Sequence, residues 1–271
     1  MSPAGDRRPT SRRAFLAGGA AAVGLVLAGC SDGGDGTGSG SPDEPGSPGT
    51  GSGAGTATTA GGGTAPAALT ADDFAALSPC LLAPEQVEGP FYADLDLVRR
   101  DVTEGMAGHP LRLGVRVVDE ACAPAAGATV DVWHADPGGD YSAFADGSGN
   151  GSDDAVEGTT FLRGSQVTDA AGIVEFATLY PGWYRGRAVH VHAKVHVGGG
   201  TVLTTQLYFP EDVTDAVHAA GPYAARGTRD TRIETDAFAG DPAAAGNLLA
   251  TSAVGEGTQG LVVLGVAPAT T

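Results

Sequence analysis

Between residues 111 and 118 the chain alternates: Leu111, Leu113, Val115 and Val117 are apolar, and Arg112, Gly114, Arg116 and Val118 stand between or after them. A period of two puts each set on its own face, so this stretch predicts a strand with one buried face. Runs of the same kind, short and rich in Val and Thr, occur at 128–134, 173–177, 189–197, 202–209 and 261–267, with Gly, Pro and Asp turn residues between them. Asp169-Ala170-Ala171-Gly172 marks a tight turn ahead of the 173–177 run. No long helical period separates successive runs, which disfavours a parallel α/β sheet and predicts an all-β fold, an antiparallel β-sandwich. A short N-terminal helix over 72–77 precedes the strands, with Thr70 or Asp72 near its start and Pro79 ending it. Residues 138–158 are polar and Gly-rich and read as a loop of the length that often carries function.

The run at 189–197 is the most informative. It reads Val189-His190-Val191-His192-Ala193-Lys194-Val195-His196-Val197, so all three histidines share one face. Adjacent members are roughly 6.6 Å apart along the backbone, close enough for two imidazoles to meet at one ion. The plain alternative is that they line the solvated face of an edge strand. Just upstream, Tyr180-Pro181-Gly182-Trp183-Tyr184-Arg185-Gly186-Arg187 forms a turn that can fold a phenol back over the histidine face. No carboxylate lies near in sequence, so phenols are the nearest hard donors, and tyrosinate suits a trivalent metal.

Composition changes the picture at the N-terminus. Arg7, Arg8, Arg12 and Arg13 precede a small apolar run too short and too rich in Gly and Ala to read as a spanning helix. Ser11-Arg12-Arg13-Ala14-Phe15-Leu16 resembles a twin-arginine export signal, and Leu27-Ala28-Gly29-Cys30 resembles a lipoprotein cleavage site in which Cys30 takes the lipid. Residues 31–66 hold only Gly, Ser, Thr, Pro, Ala, Asp and Glu, with no large apolar side chain to offset the entropy of ordering. As a flexible coil they would span roughly 33 Å. The expected organisation is an export signal at 1–29, a lipidated Cys30 and tether at 30–66, and one folded domain at 67–271. This places the protein outside the cytoplasm, as an envelope lipoprotein or a secreted chain.

The net charge is −17, and removing the signal would take away four arginines and one aspartate, making it more negative still. So acidic a surface excludes nucleic acid as a partner and leaves membrane attachment to the lipid on Cys30. Oligomeric state stays open, a homo-oligomer among the options. Once Cys30 is lipidated, Cys80 and Cys122 remain as an even pair in an exported chain and are expected to form a disulfide, with buried free thiols as the alternative.

Together these residues resemble the intradiol ring-cleavage dioxygenases, the family of catechol and protocatechuate dioxygenases, and their secreted relatives above all. The matching pieces run in order: Glu88-Gly89-Pro90-Phe91-Tyr92; Val132-Trp133-His134-Ala135-Asp136 with Gly139-Asp140-Tyr141-Ser142; Phe161-Leu162-Arg163-Gly164; the Tyr180 to His192 stretch; and Thr205-Gln206-Leu207-Tyr208-Phe209. The resemblance implies one Fe(III) held by Tyr141, Tyr184, His190 and His192. It also implies that Arg187 stabilises charge on the bound substrate and that Gln206 is a polar active-site residue. Substrate would be a small aromatic diol that reacts with O2 to give a muconate-type dicarboxylic acid, with Tyr184 displaced as the diol binds. Tyr180 competes with Tyr184 for the second phenol position, and the spacing to Arg187 favours Tyr184. Trp133 and Trp183 are expected in the core or pocket wall, His134 in a structural hydrogen bond, and His109, His196 and His218 at the surface.

A different class stays in view. Gly127-Ala128-Thr129-Val130-Asp131-Val132, Thr168-Asp169-Ala170-Ala171-Gly172 and Leu179-Tyr180-Pro181-Gly182 also resemble the prealbumin-like sandwich of non-enzymatic surface modules. Such a module has no need of two histidines on one face beside Tyr184 and Arg187.

Overall fold

Among the described residues the chain forms eight strands in two four-stranded sheets. The computed structural model describes residues 67–77, 81–144 and 156–267. The expected export signal, Cys30, the tether, Cys80 and residues 145–155 of the long loop lie outside the described residues. Strands β1 (Pro110–Asp119), β4 (Ile173–Leu179), β7 (Ala250–Val254) and β8 (Gly257–Val266) form one sheet in the order β4-β1-β8-β7. Strands β2 (Thr129–Trp133), β3 (Arg163–Val167), β5 (His190–Val197) and β6 (Gly200–Tyr208) form the other in the order β3-β2-β5-β6.

The alternation in β1 does what its period dictates. Leu113, Val115 and Val117 are fully buried, and they join Val130, Val132, Val191, Ala193, Val195 and Leu207 of the second sheet in one apolar cluster. The other face of β1 is covered by the N-terminal segment, where Leu69 and Phe74 pack with Val118, Leu261 and Val263. Burying Phe74 there contributes on the order of 2 kcal/mol. The expected helix over 72–77 is a single 3₁₀ turn, Ala71–Phe74. Thr70 and Asp73 cap each other, Thr70 N–H and Oγ1 donating to Asp73 Oδ2 at 2.7 and 2.9 Å.

Pairing departs from the antiparallel expectation at one place: β1 and β8 run parallel, from Leu111 opposite Thr258 to Asp119 opposite Val266. A parallel pair ordinarily needs a crossover long enough to carry the chain back. Here everything between β1 and β8, including the whole second sheet, is that crossover, so no local helical signal announces it. Two strands without a clear alternating signal, β3 and β7, close sheet edges, and three short helices follow β6: α1 (Glu211–His218), α2 (Gly221–Ala224) and α3 (Pro242–Ala245). Among the described residues no helix is long and apolar enough to cross a membrane. Cys122 is disulfide-bonded.

Candidate metal centre

Strand β5 is central in its sheet rather than at an edge, paired with β2 on one side and β6 on the other. Val191, Ala193 and Val195 enter the shared core, while His190 and His192, each 2 % exposed, face the other way. Register decides their neighbours. His192 lies opposite Trp133 of β2 and Gln206 of β6, and His190 lies opposite Tyr208. Trp133 stacks flat on the His192 ring, centroids 4.8 Å apart and planes 8° from parallel.

Two loops carry the phenols over this face. After β2, Asp136 closes a tight turn, with its N–H donating to the Asp140 carbonyl at 2.9 Å and its Oδ1 accepting from Asp140 N–H at 3.0 Å, and this returns Tyr141 to the sheet. After β4, the Pro181–Gly182 backbone lies against that turn, Gly182 N–H donating to the Asp136 carbonyl at 3.0 Å. A Cβ on Gly182 would collide with the Pro137 carbonyl oxygen, so glycine is required for the two loops to touch. Arg163, 4 % exposed, ties the Tyr141 loop to the preceding segment: it donates to Ser142 Oγ (2.7 Å), the Ser142 carbonyl (2.6 Å) and the Phe91 carbonyl (2.6 Å). Phe91 in turn stacks on Tyr141, and Gly89 (φ 76°) packs so closely on His192 that a Cβ would lie 3.3 Å from Cε1.

Four polar tips converge as a result. Tyr141 OH is 3.5 Å from Tyr184 OH, Tyr184 OH is 3.1 Å from His190 Nε2, and His190 Nε2 is 3.0 Å from His192 Nε2. His190 Nδ1 lies 2.6 Å from the Ala188 carbonyl, which can only accept, so Nδ1 carries the proton and Nε2 presents a lone pair. Burial, reinforced by the Arg187 charge, pushes the His190 pKa down to about 3; burial and then His190 itself push His192 well below the usual range. Both imidazoles are therefore neutral ligands in waiting. Burial raises the phenol of Tyr141 well above its ordinary value, with the neighbouring Tyr184 adding to the rise. Burial also raises Tyr184, opposed by Arg187. Ionising both phenols inside this pocket needs a cation in place of the protons, and two phenol oxygens with two imidazole nitrogens make a donor set that suits a trivalent one. Among the described residues no group of three or more His, Cys, Asp and Glu competes for a metal.

Arg187 borders the cluster. Its Nε donates to Asp236 (3.0 Å to Oδ2), and its Nη2 donates to Gln206 Oε1 and to Tyr208 OH. Gln206 is fully buried, and its amide is spent on protein: Oε1 accepts from Arg187 and Tyr208, and Nε2 donates to the Val87 carbonyl at 2.8 Å. Its place is behind Arg187, holding it.

The remaining sequence expectations fall as follows. Tyr180 is buried with its OH 2.8 Å from Thr214 Oγ1, away from the histidines, so Tyr184 is the phenol that reaches them. His134 makes the expected structural bonds, to the Ala135 carbonyl and Thr178 Oγ1. His218 is not at the surface: it is 7 % exposed, stacks on Tyr223 and bonds the Pro181 carbonyl, because α1 packs its last turn inward. His196 and His109 are half-buried, on Asp131 and Thr258 respectively. Asp236, Tyr208 and Arg163 make hydrogen bonds around the cluster that sequence reasoning did not assign. Arg163 and Tyr208 sit inside quoted motifs, and a lone charge in the apolar Phe161-Leu162-Arg163 run was the available signal; Asp236 offered none.

Residues 83–241 match the Dioxygenase family. An intradiol ring-cleavage dioxygenase from Tetranychus urticae is 30% identical, with a TM-score of 0.64 over 70% of this chain and 96% of that one. The dioxygenase domain of a dioxygenase and carbohydrate-binding protein fusion from the cellulolytic bacterium Streptomyces sp. SirexAA-E is also 30% identical, with a TM-score of 0.53 over 69% of this chain and 99% of that one. Chlorocatechol 1,2-dioxygenase of Pseudomonas sp. (strain P51) is 36% identical over 119 residues, 37% of this chain and 44% of that protein. The chain thus spans about half the length of the curated relatives it matches.

Proposed function

The chain belongs to the intradiol ring-cleavage dioxygenase family, and from that premise we propose that it opens a catechol-type aromatic ring with O2 at one ferric ion. The ion would be held by Tyr141, Tyr184, His190 and His192 on the outer face of a β-sandwich. The observation that carries this reading is the meeting of two phenol oxygens and two imidazole Nε2 atoms in consecutive steps of 3.5, 3.1 and 3.0 Å. Ferric iron, when bound, supplies the Lewis acidity that draws in both ring oxygens and opens the ring to dioxygen.

The protein's own groups divide the remaining work by burial. Tyr141 is 1 % exposed, stacked by Phe91, and stays in place. Tyr184 is the more accessible phenol, and its oxygen takes the proton of one ring hydroxyl as the diol binds. Arg187 offsets negative charge that develops on the substrate oxygens, a contribution of about 3 kcal/mol in comparable sites. Phe91, Trp133 and Tyr92 make an aromatic wall beside the ligands, which suits a flat ring and excludes water. The product is a muconate-type dicarboxylic acid. The non-enzymatic module has no use for four buried converging donors, and the family match speaks against it. Export through a twin-arginine signal and anchoring through lipid on Cys30 complete the proposal.

Colour tests it most cheaply. Tyrosinate bound to ferric iron absorbs in the visible, so ferric-loaded protein is expected to be red to burgundy and to convert catechol to its muconate with uptake of one O2. Protein that stays colourless after ferric loading and leaves catechol intact sinks the reading.

A further inference from the structure

Asp236 lies in a stretch without any recognised motif, yet its side chain is fully buried and heavily used. Its oxygens accept from Arg187 Nε (3.0 Å to Oδ2, 3.3 Å to Oδ1), from the Ala188 N–H (2.7 Å) and from the Phe238 N–H (2.8 Å). The segment that presents it is moored away from the metal centre. Ile233 N–H donates to Glu211 Oε1 at 2.7 Å, and Arg229 and Arg232 pair with Glu211 and Asp215 of α1. A carboxylate so anchored is a fixed point, whereas an arginine reaching it from the Tyr184 turn has several rotatable bonds to lose.

The guanidinium is held from several directions. Asp236 takes Nε, Gln206 and Tyr208 take Nη2, and the Phe238 ring lies 4.8 Å from Cζ. The guanidinium also acts on the Tyr184 phenol, by its charge and by a side-chain hydrogen bond. We propose that Asp236 is a positioning residue for ring opening, fixing Arg187 in the orientation that faces the Tyr184 phenol and the substrate oxygens; this rests on the dioxygenase reading above. Two features separate this from mere structural support. The two acceptors on the Nη2 side of Arg187 are neutral, so Asp236 adds the counter-charge and a second direction of hold. The carboxylate also binds the backbone on both sides of its pairing, at Ala188 and Phe238, which sets the height of the guanidinium against the His190 turn.

Asp236→Asn tests the idea in the full ferric-loaded chain. Asparagine removes the negative charge and keeps one acceptor oxygen where the carboxylate has two, so the Ala188 N–H, the Phe238 N–H and Arg187 Nε–H compete for it and the hold on Arg187 loosens. The expected result is a kcat about 100-fold lower, the size of effect a misplaced catalytic group produces. Catechol affinity measured without O2 should stay within about threefold, the visible tyrosinate band should persist, and Asp236→Glu should recover part of the rate. A kcat within about twofold of wild type overturns the proposal. Loss of the band together with a collapsed melting temperature in both variants also overturns it, since that marks a structural role. Should wild type turn over no catechol, the dioxygenase reading falls instead. The positioning claim then rests on exchange of the Arg187 Nε proton followed by NMR: slow in wild type and fast in Asp236→Asn upholds it, and equal exchange refutes it.

Discussion

The two faces of β5 are equally buried and chemically opposite. On one, Val191, Ala193 and Val195 fill the core between the sheets; on the other, His190 and His192 are just as shielded from water but turn their Nε2 atoms to each other and to the Tyr184 phenol. Burial of the first face stabilises the fold in the ordinary way, by removing apolar surface from water. Burial of the second suppresses imidazole protonation and disfavours phenol ionisation, so a bound cation becomes the partner that satisfies all four groups. One strand thus joins a stability element to a reactive one, and the rigidity of the first sets the geometry of the second.

Perturbing the two faces separately should give separable results. The largest effect is expected for His190→Ala or His192→Ala, each lowering ferric affinity by more than about 100-fold and abolishing colour and turnover, as metal analysis of the purified variants would reveal. A coloured, active His192→Ala protein would remove that imidazole from the site. Next comes Arg187→Ala, with kcat down about 100- to 1,000-fold and the visible band kept. Lysine should not restore it, because a point charge cannot serve Asp236 and Gln206 at once.

Acid should reveal a third effect in the metal-free protein. Burial lowers the His134 pKa to about 4, so the folded state resists a proton that the unfolded chain accepts below its ordinary value near 6.5. The associated stability is complete above that value and is lost as pH falls toward 4, by about 3 kcal/mol in all. His190 and His192 lose stability with the same sign on acidification, so denaturant titrations of wild type against a His134→Gln variant isolate the His134 share, the variant showing the flatter profile.

On the apolar face, Val191→Ala is expected to destabilise by about 2 kcal/mol through the cavity it leaves, while ferric stoichiometry and the band position hold. A bleached Val191→Ala protein would mean the faces are not separable. The smallest effect is expected for Gly89→Ala. A side chain at φ 76° costs about 1 kcal/mol and presses on His192 Cε1, so the visible band should shift while the melting temperature barely moves.

Local pattern made much of this legible in advance. Strands β1, β2, β4, β5, β6 and β8 lie where alternation puts them, and the Tyr184, Arg187, His190 and His192 spacing pointed to the tips that meet in space. Strand β3 was obscured by Arg163 and Gly164, whose reasons for being there are tertiary: Arg163 ties the site's loops together through Ser142 and Phe91, and Gly164 leaves room for Val102 and Arg99. α1 follows β6 in a stretch where no motif helped, and with it the burial of His218 went unseen.

What the amino-acid order alone determined is whatever follows from backbone period and nearest neighbours: strand content, the shared face of the histidines, and a phenol and a guanidinium within one turn of them. What the tertiary structure decided is every pairing between distant segments. The parallel match of β1 with β8, Tyr141 brought to Tyr184, and Asp236 placed under Arg187 all depend on loop paths set by packing across the whole domain. Side-chain period is a property of a few consecutive residues, whereas a carboxylate meets a guanidinium 49 positions away only after the core has fixed where both backbones run.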